Sequence, residues 1–174
     1  MREPADAERI ERFMRALGAE AREEAHVYLT GGATAVLVGW RETTIDVDVK
    51  FVPEEDAVLR ALQRIKDDVR INVELASPAD FIPVPEGWVE RSLSIGREGK
   101  LSFHHFDPYA QALAKLERAH ARDLADVEAM IDTDLVDPER ALALFAEIEP
   151  ELFRFPAIDP PTFRRRVEDA LGSR

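Results

Sequence analysis

The run Leu29-Thr30-Gly31-Gly32, followed after residues 33–45 by Asp46-Val47-Asp48-Val49, decides how this chain folds. Its second part lies in Ile45 to Val52, where apolar and polar residues alternate. Ile45, Val47, Val49 and Phe51 point one way and Asp46, Asp48 and Lys50 the other, which predicts a half-buried strand. Its first part closes a shorter strand, His26 to Thr30, with Val27 and Leu29 on one side. Gly31-Gly32 breaks that strand, and the small apolar run Ala33 to Val38 suits a short buried helix. Two glycines let backbone approach a ligand closely, and the helix N-terminus beyond them offers N–H groups to a phosphate. Taken alone, the pair reads first as a tight turn that needs glycine.

Residues two apart on a strand share a face, so Asp46 and Asp48 project together. Adjacent like charges are costly unless a cation neutralises them. Hard carboxylate oxygens suit magnesium, which is held by one or two carboxylates plus substrate phosphates. A solvent-facing acidic strand explains the alternation equally well. Val69 to Leu75 predicts another strand, with Ile71, Val73 and Leu75 on one side and Asn72 and Glu74 on the other. If the two strands are neighbours, Glu74 completes a three-carboxylate cluster able to hold two ions about 4 Å apart. The alternative is an exposed carboxylate at a sheet edge.

Further out, the spacing of Ile10, Phe13, Met14 and Leu17 predicts a helix over Asp6 to Glu23. Val58, Leu59, Leu62 and Ile65 do the same for Glu54 to Asp68. Ser77 to Trp88 reads as a loop, and Val89 to Ile95 with Lys100 to His105 as a hairpin around Gly96 and Gly99. Asp107-Pro108 is a cap-then-proline start for a long helix to about Ile131. Asp137-Pro138 starts another to about Ile148, and Pro161 to Leu171 forms a last one. The expected fold class is α/β (α+β): a mixed sheet flanked by helices, with a helical C-terminal part. A single domain over residues 1–174 is expected, with its core at about 26–106 and the helical part at about 107–174.

Hydrophobic residues make up 45% of the 174 and charged residues 33%, the balance of a globular chain. There is no cysteine, which excludes disulfides, thiolate chemistry and cysteine-based zinc sites. The net charge of −12 argues against broad non-specific nucleic-acid binding. No apolar run approaches the roughly 18 residues of a membrane span, and the N-terminus lacks the pattern of a signal peptide. A cytoplasmic protein without membrane contact is the expectation.

Gly-Gly and Asp-x-Asp in this order, each beside hydrophobic residues, resemble the signature of the nucleotidyltransferase superfamily. Arg41-Glu42-Thr43-Thr44 is similar to the lead-in of its AbiE-like branch, where the arginine or the hydroxyl residue lies near the nucleotide. Lys115-Leu-Glu-Arg118, followed by Arg122-Asp123-Leu-Ala-Asp126, resembles a helical motif of that branch. Asn72-Val-Glu74, Asp80-Phe-Ile-Pro83 and Gly87-Trp88 resemble bacterial nucleotidyltransferase-like proteins of unknown function, so the likeness spans about Val27 to Ile131. The resemblance implies the nucleotidyltransferase fold and a nucleoside triphosphate donor, ATP among them. It implies two Mg2+ ions held by the catalytic carboxylates Asp46, Asp48 and Glu74. It implies nucleotide contacts from Gly31, Gly32, Arg41, Thr44, Lys115, Arg118 and Arg122. The implied reaction transfers a nucleoside monophosphate to an acceptor hydroxyl on a protein, an RNA or a small molecule. Two rivals stand beside it: an inactive nucleotide-sensing or partner-binding module of the toxin–antitoxin type, and a phosphohydrolase using water.

On one continuous helix Lys115, Arg118, Arg122 and Asp126 would fall within an arc of about 80° and form a single polar stripe. Arg122 and Asp126 would also be spaced for a surface ion pair. Lysine is scarce, with only Lys50, Lys66, Lys100 and Lys115, which draws attention to Lys115. Asp123 falls toward the apolar side and needs a partner, for which an arginine ion pair is expected. His120 falls on that apolar side too, and one of His104 and His105 must face inward. No serine or aspartate pattern points to a triad.

Overall fold

The computed structural model describes residues 3–172. By chain contacts they form two compact units. One joins the residues up to Ser77 with Ser92–Phe106, and the other joins Pro78–Arg91 with Asp107 onward.

The first unit opens with α1 (Ala7–Glu20), capped by Asp6, whose carboxylate accepts from the Arg9 N–H at 2.9 Å. β1 (Ala25–Thr30) leads through Gly31 into α2 (Gly32–Val38), and β2 (Asp46–Val52) follows. α3 (Asp56–Val69), capped by Glu55, connects to β3 (Asn72–Leu75). A five-stranded sheet forms in the order β3-β2-β1-β5-β4, where β4 is Leu93–Glu98 and β5 is Leu101–His105. β1 runs antiparallel to β2 and parallel to β5, while β2 and β3 are parallel. The sheet is therefore mixed, as expected.

Alternation decides its two faces. Val27, Leu29, Val47, Val49, Phe51, Val73, Leu101 and Phe103 are buried together with Ile10, Phe13 and Leu17 of α1 and Val58 and Ile65 of α3. Ala33 and Val36 of α2 join this core. Burying a side chain of this size contributes about 1.5–3 kcal/mol, which is why the strand pattern is so strongly enforced. Ile45 falls just before β2 and is 63% exposed, and Leu75 at the end of β3 is 58% exposed. Both depart from the expected inward alternation, because the strands end where they lie.

Two expected elements change. Val89–Arg91 are not strand but part of a helical turn, α4 (Trp88–Arg91). β4 begins only at Leu93, and Gly96 lies inside it at a register shift, so the chain reverses at Gly99 alone.

The second unit contains α4, a 3-10 turn at Pro78–Asp80, and the helical C-terminal part. The single helix expected from Pro108 to about Ile131 is two helices. α5 (Pro108–Arg118) ends at Ala119, which takes a left-handed conformation with φ 55°, and α6 (Ala121–Asp132) restarts from His120. Alanine is a strong helix former, so periodicity alone runs straight through the break. His120 is thereby exposed at the start of α6 and not on an apolar face. α7 (Pro138–Ile148) and α8 (Pro160–Leu171) complete the unit. Asp107, Asp137 and Asp159 each cap a helix that has proline in its first turn, so all three starts are written in the sequence. Leu113, Leu116, Met130, Phe145, Phe163 and Val167 are buried here, with the Phe145 and Phe163 rings 5.0 Å apart. No described helix is long and apolar enough to cross a membrane.

Candidate nucleotide site

The second face of the sheet is polar. Register places Asp48 beside Thr30 on one side and Glu74 on the other, and Asp46 beside Asn72. The parallel pairing of β2 and β3 thus brings Glu74 onto the face of the two aspartates, the adjacency on which the three-carboxylate reading depended. Glu74 is exposed and both aspartates are half-buried. The Asn72 amide donates a hydrogen bond to Asp46 Oδ1. Sequence reading placed Asn72 on this face but missed the contact, because only the β2–β3 register reveals it.

The glycine turn is built onto this face. Gly31 has φ 63° and ψ −127°, a conformation natural to glycine. A Cβ there would stand 3.2 Å from Asp48 Oδ2. At Gly32 a Cβ would fall onto the Thr44 hydroxyl, 2.7 Å from Thr44 Cβ and 3.4 Å from an Arg41 guanidinium nitrogen. The turn therefore lies directly against Asp48, Thr44 and Arg41. Thr44 is buried and its hydroxyl donates to the Asp46 carbonyl at 2.9 Å. Its backbone exchanges hydrogen bonds with Ala5 at 2.7 and 2.9 Å, which anchors the segment leading into β2. Gly31, Gly32, Arg41, Thr44, Asp46 and Asp48, chosen from sequence, are thus gathered in one place. Gly32→Ala should cost about 2 kcal/mol by overpacking against Thr44, read as a lowered urea midpoint. An unchanged midpoint would mean the turn can move away from Thr44.

The donor set can be compared with magnesium. Asp46, Asp48 and Glu74 offer only hard oxygens, the chemistry magnesium prefers. Among the described residues no group of three histidine, aspartate or glutamate side chains is placed to hold a metal ion. Two half-buried carboxylates on one face fit a cation that arrives with its nucleotide, since magnesium keeps waters and phosphates as its other ligands.

Lys115, Arg118 and Arg122 lie in the second unit, and the break at Ala119 divides them between two helices. The single stripe is therefore absent. Lys115 Nζ is 2.7 Å from Asp126 Oδ2 and 3.9 Å from Asp123 Oδ1, with all three side chains buried. Arg118 donates twice to Asp123, at 2.9 and 2.6 Å. Burial alone would raise the Asp123 carboxyl, but Arg118 and Lys115 outweigh it and hold the group below its ordinary value. Asp123 has the arginine partner that sequence demanded. Asp126 pairs with Lys115 and not, as its spacing suggested, with Arg122. Arg122 is exposed.

Histidines also lie in the first unit. His26 Nδ1 and His104 Nε2 are 2.9 Å apart, and His104 stacks on Tyr28 with centroids 5.0 Å apart. Burial and the neighbouring His26 hold the His104 ring below its ordinary value. His105 is the inward one: burial pushes its ring down to about 4. The unfolded ring takes up its proton near 6.5 and the folded ring only near 4. Stability is then full above about pH 6.5 and declines as pH falls to about 4, by about 3 kcal/mol in all. Urea midpoints between pH 4 and 7 should show this slope, and His105→Gln should flatten most of it.

No curated protein and no solved structure matches the chain significantly. The family model described as a nucleotidyltransferase of unknown function, DUF6036, matches residues 7–151. That span runs from the start of α1 past the end of α7 and contains the glycine turn, both aspartates of β2 and Glu74. The match covers most of the chain, and the chain belongs to this nucleotidyltransferase family.

Proposed function

We propose that the protein is a magnesium-dependent enzyme that transfers a nucleoside monophosphate from a nucleoside triphosphate to an acceptor hydroxyl. One observation carries the reading: the Gly31–Gly32 turn packs against Asp48, Thr44 and Arg41, on the strand whose face bears Asp46 and Asp48. A glycine turn at close range to paired carboxylates joins the two needs of phosphate chemistry, backbone donors and a place for a cation.

Asp46 and Asp48 would hold the cation, with Glu74 beside Asp48 in register on the same face. Bound magnesium neutralises charge on the triphosphate and leaves the α-phosphorus open to attack. The backbone at Gly31 and Gly32 steadies the phosphates, and Arg41 adds a positive charge beside them. The acceptor oxygen forms a bond to the α-phosphorus, the bond to the bridging oxygen breaks, and pyrophosphate leaves. The acceptor proton passes to a Glu74 carboxylate oxygen. Positioning supplies most of the rate, since little covalent work falls to the protein. The reading draws no charge from Lys115 or Arg118, which Asp126 and Asp123 already neutralise.

A thermal-shift titration with ATP, GTP, CTP and UTP, with and without magnesium, tests this. Wild type should gain about 2.7 kcal/mol with its donor at a hundred times the dissociation constant. The Asp46→Ala/Asp48→Ala variant should gain nothing. If wild type responds to none of the four, the transferase reading fails and a partner-binding role takes its place.

A further inference from the structure

The glycine turn occupies the loop between Leu29 and Thr34, and the base of that loop is closed by a buried polar contact. Thr34, in the first turn of α2, is 1% exposed, and its hydroxyl lies 3.0 Å from His105 Nδ1. The same hydroxyl reaches the Leu29 carbonyl at 3.5 Å. That carbonyl also accepts the Phe106 N–H at 2.8 Å. One arrangement satisfies all of these groups. His105 Nδ1–H donates to Thr34 Oγ1, and the Thr34 hydroxyl hydrogen points to the second lone pair of Leu29. The ends of β1 and β5 and the start of α2 are thereby tied at one point, beneath Thr30-Gly31-Gly32-Ala33.

Nothing in packing requires this. Leu101 and Phe103 precede His105 on the same face of β5, so an apolar residue would continue the core. A histidine and a threonine buried there give up hydration, and their mutual hydrogen bond helps to offset that cost, together with the one from Thr34 to the Leu29 carbonyl. Its local effect is on the turn: Gly31 and Gly32 carry no side chains, so fixing the two ends of the loop bears directly on the orientation of their backbone.

We propose that Thr34 and His105 are positioning residues: a buried clasp that holds the Gly31–Gly32 backbone in the orientation that receives nucleotide phosphates. This rests on the transferase reading for its ligand but not for its structural content. The clasp acts through the turn and touches neither phosphate nor acceptor.

Two measurements test it. The first uses nucleotide-free protein and follows the Gly31 and Gly32 amide resonances in wild type, Thr34→Val and Thr34→Ser. Valine keeps the shape and deletes the hydroxyl, whereas serine keeps the hydroxyl. Both glycine resonances should move in Thr34→Val and stay in place in Thr34→Ser. The second measures magnesium–nucleotide affinity, using whichever of ATP, GTP, CTP and UTP binds wild type most tightly. Thr34→Val should weaken it about tenfold and Thr34→Ser by less than about twofold. Unmoved glycine resonances in folded Thr34→Val overturn the clasp, whatever the nucleotide result. Moved resonances with unchanged affinity overturn its positioning role. A wild type that binds none of the four nucleotides sinks the transferase reading and with it that role, while the resonances still decide the clasp. Should Thr34→Val not fold, His105→Gln set against Thr34→Ser gives the same comparison.

Discussion

Asp48→Ala should lower magnesium–nucleotide affinity by about a hundredfold or more. Asp48 stands between Thr30 and Glu74 in register, with Asp46 two residues before it on the same face. Without a cation these carboxylates repel one another, so deleting one relieves strain in the free protein. With a cation the same carboxylate becomes a ligand, and its loss then costs affinity for magnesium and nucleotide. Asp46→Ala should also lose affinity, and it removes the hydrogen bond that the Asn72 amide donates to Asp46, at a cost of about 1 kcal/mol. Calorimetric titration measures the affinity of both variants, and urea unfolding the cost at Asp46. Wild-type affinity in both would reduce the pair to ordinary acids on an exposed strand.

Lys115→Met should destabilise the protein by about 3–5 kcal/mol. Lys115 is 5% exposed, and it lies between Asp126 at 2.7 Å and Asp123 at 3.9 Å, both of them buried. Removing its charge takes away the cation 2.7 Å from Asp126, while Asp123 keeps Arg118. Taking the cation away from a buried carboxylate is costly. Asp126→Asn with Lys115→Met should recover much of the loss, because the carboxylate that lost its cation is then neutral. The pair of variants, measured by urea unfolding, decides what Lys115 does. A Lys115→Met protein of wild-type stability and weakened nucleotide affinity would return the residue to the nucleotide site.

The elements whose reading depends on local rules were legible in the sequence. Alternation along Asp46–Val52 fixed which side chains face the core, because a slip of one residue would bury the aspartates and expose the valines. Aspartates before proline fixed the starts of α5 and α7, since the cap and the missing N–H act within a single turn. The helix break at Ala119 was not legible. Alanine gives no local warning of a left-handed residue, and the conformation is supported by contacts across the bend, where Asp123 accepts the His120 N–H and Lys115 meets Asp126. The stripe inferred along one straight helix was lost with it.

The candidate residues could be picked from the chain alone: the glycine pair, Arg41, Thr44 and the carboxylates of β2, each marked by a spacing or a local conformational need. Their meeting was decided by tertiary structure. The parallel register of β2 and β3 set Asn72 against Asp46 and Glu74 against Asp48. Likewise the path from α2 to β2 laid Thr44 and Arg41 against Gly32. Alternation specifies a face but not a neighbour. Strand order and register are chosen by the burial of the whole core at once, and no short stretch of chain contains that sum.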